Sequence, residues 1–333
     1  MSGQLDRIGP AGLTGEVPRI EANGLFCIPD AHIAATPPGQ RLEGYKDQVM
    51  DKIAACLAQA ARTECVPVFL GDLFHWPREN PNDLLVALIE LFSPVKPYVL
   101  VGNHDKYQAR YTRDVSLAVL DAAGAVRVIS EPGPVFHLLT PTGEALVGAS
   151  PDASPLPRAF DKEDGVSVVW ITHHGIGFPD FPDRQIRPRE IQGVDWIING
   201  HIHRPQPAVR AGSTTWANPG NITRLSFARR TLTRVPAASI WRPGSAELEM
   251  WPVPHLPFYS VFPDQEFPAE SDSPEQESRF VKGLERLAWK RTREGQGLRE
   301  FLAANLNPEH PETSLIWELY QEAANAKDDN RDG

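Results

Sequence analysis

Short apolar segments that each end in a cluster of polar side chains restrict the fold of this chain more than any other feature. Five segments share the pattern: residues 24–29, 66–70, 98–101, 166–171 and 196–198. Continuous apolar strands are typical of sheets that are covered on both faces. In α/β sheets, functional sites assemble where strand ends meet at one edge. The sequence therefore predicts an α/β protein with a polar site at one edge of its sheets.

Amphipathic helices are predicted between some of these strands. In residues 43–62 an apolar side chain recurs once per helical turn, at Tyr45, Val49, Ile53 and Leu57, as in a helix that packs one face on a core. Residues 82–92 show the same pattern. Residues 126–147 and 214–240 carry the Gly and Pro punctuation of a β-meander. Together these patterns favour a mixed architecture over a purely parallel sheet.

The polar clusters at the strand ends contain the side chains that bind divalent metals. In chain order they are Asp30-Ala31-His32, Gly71-Asp72, Gly102-Asn103-His104-Asp105, His173-His174 and Gly200-His201-Ile202-His203. Carboxylate, imidazole and amide oxygen ligands together suit Mn²⁺, Fe²⁺ or Zn²⁺. Residues at positions i and i+2 of an extended chain point the same way, so Asp30 and His32 can reach inward together. Asp72, fixed by a tight turn at Gly71, can bridge two ions.

Each cluster alone has a structural explanation. Asp-x-His is common by chance, Gly71-Asp72 suits a simple turn, and one ring of His173-His174 can be satisfied by backbone at a strand end. The joint occurrence of all five clusters, in this order, favours a metal site. Two ions about 4 Å apart can clamp a phosphoryl group and lower the pKa of a bridging water.

These five motifs resemble the signature of the calcineurin-like metallophosphoesterases, which runs Asp-x-His, Gly-Asp-x-x-Asp, Gly-Asn-His-Asp/Glu, a strand-end His and Gly-His-x-His. The resemblance spans residues 24 to about 205. It implies a four-layer α/β/β/α sandwich of two mixed β-sheets, to which we expect a C-terminal helical appendage to be attached. It also implies hydrolysis of phosphoester bonds by a metal-bridged hydroxide.

The resemblance further implies a role for individual residues. Asp30, His32 and His203 are expected to hold one metal ion, with Asp72 bridging. Asn103, His173 and His201 are expected to hold the second ion. His104 is expected to protonate the leaving oxygen, and Asp105 to orient its ring. We expect two divalent ions as cofactors, manganese first, with iron and zinc as alternatives.

Two histidines leave alternatives open. His75 stands where the family usually has a second Asp, in Gly71-Asp72-Leu73-Phe74-His75. It either alters metal preference or pH dependence near the substrate, or is a surface ring after the turn. Of the neighbours His173 and His174, we favour His173 as the ligand because it directly follows the strand.

Within the family, the motifs are most similar to those of the SbcD-type DNA repair nucleases. The similarity rests on Gly71 to Phe74, on residues 199–206 and on residues 218–227. Seven arginines and no acidic residue lie between positions 204 and 242, and an arginine-only stretch is suited to a phosphate backbone. Arg204, Arg224 and His75 are the predicted substrate contacts; for the arginines the alternative is a solvated face.

The prediction is therefore a DNA nuclease or phosphodiesterase. One alternative is a phosphatase or nucleotide phosphodiesterase with a narrow pocket. Another is a non-catalytic interaction scaffold. It ranks last because scaffolds that resemble this family have lost metal ligands, whereas this chain retains all of them and His104. For partners, the resemblance implies a phosphoester substrate such as DNA, and a coiled-coil ATPase or a second copy of the chain.

Composition and length set the remaining expectations. The formal net charge is −10, so a nucleic acid must meet a local basic patch or bound metal. Three cysteines without metal-type spacing and the absence of an apolar leader indicate a cytoplasmic protein with no membrane partner. We predict an N-terminal tail at 1–20, a catalytic domain at 21–245 and a C-terminal extension at 246–333. Within that extension, helices are predicted at 279–306 and 313–326, followed by a charged tail.

Overall fold

Two mixed β-sheets packed face to face form the body of the protein. The computed structural model describes residues 17–179, 181, 186–265 and 267. The predicted α/β sandwich of two mixed sheets is confirmed.

The first sheet has six strands, four of which run parallel. In spatial order they are β13 (Glu249–Pro252), β12 (Ala237–Trp241), β2 (Leu25–Ile28), β3 (Val66–Phe69), β4 (Tyr98–Leu100) and β5 (Arg127–Ile129). Strands β2 to β5 are parallel, and β12 is antiparallel to both of its neighbours. The carboxyl ends of β2, β3 and β4 therefore meet at one edge.

The second sheet has seven strands. In spatial order they are β1 (Arg19–Glu21), β6 (Gly133–Thr140), β7 (Gly143–Ser150), β8 (Val166–Thr172), β9 (Trp196–Asn199), β11 (Thr214–Asn218) and β10 (Gln206–Ala211). Strands β7, β8, β9 and β11 are parallel. The hairpins β6–β7 and β10–β11 add antiparallel pairs.

One hydrophobic core lies between the sheets. It includes Tyr98 and Trp241 from the six-stranded sheet and Phe136, Val169 and Trp196 from the seven-stranded sheet. Burying apolar area on this scale is the main stabilising contribution to such a fold, at roughly 25 cal/mol per Å².

Three helices cover the outer face of the six-stranded sheet: α1 (Tyr45–Arg62), α2 (Asn82–Phe92) and α3 (Ser116–Ala122). Tyr45, Val49 and Ile53 form the buried face of α1, as their spacing predicts. On the outer face of the seven-stranded sheet, Trp170 and Trp216 pack against Phe160 and Ile176 from irregular segments. A short helix, α4 (Arg229–Leu232), precedes β12.

The two predicted meanders are wrong in their pairing. β5 belongs to the six-stranded sheet, whereas β6 and β7 belong to the seven-stranded sheet. Likewise β11 and β12 lie in different sheets. Alternation and turn residues predict that strands exist, but both sheets bury one face in the same core, so the sequence pattern does not identify the partner strand.

The compact unit extends beyond residue 245, where the sequence places the end of the catalytic domain. It runs from Met1 to Pro268. β13 pairs with β12, and Phe258 and Phe262 pack against Phe227. At the other end, β1 pairs with β6, so residues 19 and 20 are part of a sheet. A second unit, Ala269–Gly333, with the predicted helices at 279–306 and 313–326, lies outside the described residues.

No helix in the described ranges has both the length and the apolar character needed to cross a membrane.

Candidate metal centre

The five polar clusters converge at the edge where parallel strands of both sheets end. Asp30, Asp72 and Asn103 follow β2, β3 and β4 of the six-stranded sheet. His173 directly follows β8, and His201 comes two residues after β9. The site is therefore built across the two sheets, as the positions of the clusters predict.

The first group of potential ligands contains Asp30, His32, Asp72 and His203, with one ligand atom of each within 4.8 Å of the others. The Nε2 atoms of His32 and His203 are 2.9 Å apart. Asp72 Oδ2 lies 3.6 Å from His32 Nε2, and Asp30 Oδ1 lies 3.7 Å from His203 Nε2.

The second group contains Asp72, His173 and His201, to which Asn103 adds an amide oxygen. Asn103 Oδ1 is 2.8 Å from His201 Nδ1 and 3.1 Å from His173 Nε2. Asp72 Oδ2 is 3.2 Å from His173 Nε2. Because the same carboxylate oxygen approaches His32 in the first group, Asp72 is the side chain shared by the two groups.

The donor set fits two divalent cations. Two facing imidazole nitrogens only 2.9 Å apart need a proton or a cation between their lone pairs. Burial raises the pKa of Asp30 well above its usual range, with the nearby Asp72 acting in the same direction against His173. Burial and the adjacent His104 lower the pKa of His32, which favours the neutral, ligand-competent ring. A positive ion at this place would bind the facing lone pairs of His32 and His203, and it would favour the charged form of Asp30.

Hydrogen bonds to backbone fix the ring of His173. Its Nδ1 donates to the Leu70 carbonyl over 2.7 Å, which leaves Nε2 for the metal side. The ring of His174 lies elsewhere, with Nε2 2.8 Å from the Ser154 carbonyl. The structure thus brings the first of the two histidines into the group and leaves the second outside it.

Four of these side chains stand on strained backbone. Asp30, His32, Asp72 and His201 have φ values of 39°, 51°, 50° and 72°, in the left-handed region that non-glycine residues seldom adopt. Each such residue costs on the order of 1 kcal/mol. Asp30 and His32 therefore both enter the site from left-handed backbone, and not from the extended chain on which their prediction was based.

Two motif glycines are required by close approach. A Cβ atom on Gly71 would collide with the His173 ring, and one on Gly102 would collide with the Asp72 carboxylate. Both glycines therefore let ligands from different strands lie against the backbone of their neighbours.

His104 lies beside the first group. Its backbone N–H donates to Asp72 Oδ1 over 2.8 Å, and its ring centroid is 4.7 Å from that of His32. Its Nδ1 donates to the His75 carbonyl over 2.8 Å. Nε2 is then the ring nitrogen available to a substrate.

Asp105 does not orient the His104 ring, in contrast to the sequence prediction. Its carboxylate is fully buried and accepts hydrogen bonds from the backbone N–H groups of Gly102 and Phe74, at 3.0 and 3.2 Å. Since its two oxygens face these amides, Asp105 holds together the turns that carry Asp72 and Asn103. The carbonyl of His75 takes the orienting role.

The His75 ring is part of the site and not an isolated surface ring. It is half-buried and stacks on His104, with centroids 5.3 Å apart, and it meets His32 edge-on at 5.4 Å. Burial and His104 lower the pKa of His75 to about 4, so this ring is neutral at pH 7.

Of the two arginines predicted to contact substrate, Arg224 is buried. Its guanidinium donates to the carbonyls of Arg234 and Leu256 at 2.7 and 3.0 Å. The prediction that Arg224 contacts substrate is therefore wrong. Its guanidinium instead joins the segments that carry Arg234 and Leu256. Arg204 is exposed, as a substrate contact requires.

Sequence reasoning missed Arg234, which supports a potential ligand. Arg234 Nη1 donates to the His203 carbonyl over 2.8 Å, and Nη2 donates to the Thr223 carbonyl over 3.1 Å. In the sequence it is one of seven similar arginines, and no local signal distinguishes it.

Comparisons with known proteins agree with this site. A model of the calcineurin-like phosphoesterase family matches residues 26–205, a range that contains all the groups described above. No curated protein sequence matches the chain.

Solved structures that match the chain include sulfate thiohydrolase SoxB of Thermus thermophilus with glycerol. It has a TM-score of 0.41 and 14% identity over 73% of this chain and 57% of that one. They also include a 5′-nucleotidase precursor from the same organism, with a TM-score of 0.41 and 13% identity over 70% of this chain and 54% of that one. The chain spans little more than half the length of either protein.

Proposed function

We propose that this chain, which belongs to the calcineurin-like phosphoesterase family, is a metal-dependent phosphoester hydrolase and that its substrate is a phosphodiester of DNA. The choice of DNA is supported by the resemblance of the motifs to those of SbcD-type nucleases and by the exposure of the site.

The observation that carries the proposal is the exposure of the reacting face. The His203 side chain is 40% exposed, and His104, His201 and Asn103 are all partly open to solvent. A phosphodiester inside a polymer continues on both sides of the scissile bond, so it needs a site that opens onto the surface. An open site of this kind can accept a polymer, whereas a narrow pocket accepts only a small ester.

The residues that would hold the metals are the two groups with a shared carboxylate. Asp30, His32 and His203 would hold one ion, Asn103, His173 and His201 the other, and Asp72 would contact both. When bound, two such ions supply Lewis acidity at the phosphoryl oxygens and activate water. Manganese is our proposed ion, because carboxylate, amide and imidazole ligands are mixed here.

His104 is positioned to serve the leaving group. The His75 carbonyl holds its Nδ1–H, so the imidazolium form can donate from Nε2 to the departing sugar oxygen. The Asp72 carboxylate holds its backbone at 2.8 Å, which couples the position of the acid to that of the metal groups.

The remaining proposals concern surroundings and partners. Because the formal net charge is −10, binding to DNA has to come from the metals and from exposed residues such as Arg204. A coiled-coil ATPase or a second copy of the chain stays a prediction, because the helices that would dock it lie in the 269–333 unit outside the described residues.

The test is Mn²⁺-dependent cleavage of single- and double-stranded DNA by the full chain. Bis-p-nitrophenyl phosphate and p-nitrophenyl phosphate are assayed in parallel, with and without EDTA. His104→Ala is the test variant, and His255→Ala, a histidine outside the site, is the matched control.

DNA cleavage that needs Mn²⁺ and is lost in His104→Ala, but not in His255→Ala, supports the proposal. Activity confined to the p-nitrophenyl esters overturns it in favour of a small-substrate hydrolase. Bound metal without activity on any substrate favours an interaction scaffold.

A further inference from the structure

A half-exposed indole lies close to the histidine proposed to act as the acid. Trp76 follows His75 in the chain and is 44% exposed. Its ring meets His75 edge-on, with centroids 4.5 Å apart, and His75 in turn stacks on His104. One ring therefore separates Trp76 from the group proposed to protonate the leaving oxygen.

The loop that carries Trp76 is held rigidly. The Trp76 carbonyl accepts a hydrogen bond from Asn80 Nδ2 over 2.7 Å, and Asn80 also contacts Ser116 Oγ over 2.9 Å. The Ser116 N–H donates to the Pro77 carbonyl over 2.7 Å.

Arg78 fixes the same loop from the other side. Its guanidinium carbon lies 3.9 Å from the centroid of the Tyr107 ring, and the side chain pairs with Asp114 at 2.5 Å. Tyr107 is itself 37% exposed and lies in the loop after β4, which also carries His104. Arg78 thus joins the loop of Trp76 to the loop of His104.

The exposed part of the indole lies one ring away from His104, on a loop fixed by hydrogen bonds, so it is available to a ligand held at the site. We propose that Trp76 is a stacking surface for the nucleobase next to the scissile phosphate. This inference rests on the proposed action on nucleic acid, and it names the part of the substrate that the site recognises beyond the phosphate.

The ligand class follows from the geometry around Trp76. Aromatic side chains bind bases of any sequence through their π-faces, and a base is joined to its own phosphate through a single sugar. In a duplex the faces of the bases are already stacked on one another. Trp76 therefore favours single-stranded or frayed ends, without a base preference.

The first experiment compares two esters that share a leaving group. Thymidine 5′-p-nitrophenyl phosphate carries a base, and methyl p-nitrophenyl phosphate does not. We expect the ratio of their kcat/KM values to fall about tenfold in Trp76→Ala and to be retained in Trp76→Phe. Tyr259→Ala removes another exposed aromatic, 45% exposed, and is the matched control.

The second experiment measures binding without turnover. Fluorescence anisotropy compares a labelled thymidine oligonucleotide with an abasic oligonucleotide of the same length, using the full chain with Mn²⁺ and with His104→Ala as the background that suppresses turnover. The protein that keeps Trp76 is expected to prefer the oligonucleotide that carries bases, and the further change Trp76→Ala to remove that preference.

The outcomes separate this inference from the proposed function. A wild-type ratio that Trp76→Ala leaves unchanged overturns the inference, while action on nucleic acid stands. Equal efficiency on both esters, or equal affinity for both oligonucleotides, also overturns it. Hydrolysis of the methyl ester alone, with no binding of either oligonucleotide, overturns the nucleic-acid proposal together with this one. Circular dichroism confirms that each variant is folded.

Discussion

Two polar clusters lie side by side in this protein and are built on opposite principles. The metal cluster consists of Asp30, His32, Asp72, Asn103, His173, His201 and His203. The cation cluster consists of Arg41, Lys52, Arg224 and Arg234. They meet where Arg234 donates to the His203 carbonyl.

The metal cluster gathers lone pairs, whereas the cation cluster gathers N–H donors that end on backbone carbonyls. Lys52 donates to the Ile222 carbonyl over 3.0 Å, and Arg41 to the Arg224 carbonyl over 3.3 Å. Within the described part of the chain, none of the four cations forms an ion pair with a carboxylate.

Residue type alone therefore does not reveal the role of a charged side chain. Lone pairs that face one another, such as those of His32 and His203, call for a ligand, and the metal cluster has them. Donors that are already bonded to carbonyls fix loop geometry instead, as Arg224 and Arg234 do for residues 221–234. We therefore expect substitutions in the metal cluster to abolish activity with little loss of stability, and those in the cation cluster to do the reverse.

Asp72→Asn is the strongest test of this contrast. The substitution removes the negative charge shared by both groups, and we expect activity to fall roughly a thousandfold. Metal content, measured by mass spectrometry of the dialysed protein, should fall as well. Thermal stability in EDTA should change little. Full metal occupancy with wild-type activity would remove Asp72 from its shared position.

His104→Ala separates metal binding from proton transfer. Because the family resemblance gives His104 the role of an acid and not of a metal ligand, we expect kcat to fall roughly a hundredfold while metal content stays at the wild-type level. A substrate with a better leaving group should be affected less, since it needs less protonation. An equal loss on good and poor leaving groups contradicts the proposed acid role.

Arg224→Met tests the cation cluster from the other side. Two carbonyls, of Arg234 and Leu256, lose their buried donor, so we expect the free energy of unfolding to fall by about 2 kcal/mol. Urea denaturation measures this loss, and the specific activity of the folded fraction should stay near the wild type. Arg204→Met, at an exposed position, is the control and should change stability by less than about 0.5 kcal/mol. If Arg224→Met instead weakens DNA binding at unchanged stability, Arg224 contacts substrate after all.

Lys52→Met has an expected effect on stability that depends on pH. Burial and the nearby Arg41 and Arg224 lower the pKa of Lys52 to about 7. Between pH 7 and pH 10 the unfolded chain then binds more protons than the folded one, so the stability of the wild type rises with pH. The variant lacks this contribution. Its stability relative to the wild type should be greatest near pH 6 and decline by about 2 kcal/mol towards pH 9.

Thermal denaturation of both proteins across this pH range measures the difference, and titrations that the two proteins share cancel. Parallel pH profiles would mean that Lys52 keeps an ordinary pKa.

The metal cluster could be predicted largely from sequence because its geometry is local. A strand that stops at a tight turn places the next one or two side chains at the sheet edge, so Asp30, Asp72, Asn103 and His173 could be placed from their positions alone. The helix α1 was equally predictable, since a 3.6-residue period directly encodes its buried face.

The remaining contacts join residues far apart in the chain, and no local pattern encodes them. The predicted bond between Asp105 and His104 fails because two backbone amides reach the Asp105 carboxylate first. The arginine stretch looked uniform, yet Arg224, in the segment between β11 and β12, is buried, whereas Arg204, between β9 and β10, is exposed.

The strand ends, the metal-binding side chains and the family could be predicted from the sequence alone, since each depends on a few neighbouring residues. The folded structure was needed to establish which sheet each strand joins, what orients His104, which arginines are buried and where Trp76 lies. The physical reason is the same in every case: these outcomes depend on competition between distant groups for the same hydrogen bonds and the same core, and that competition is settled only when the two sheets pack together.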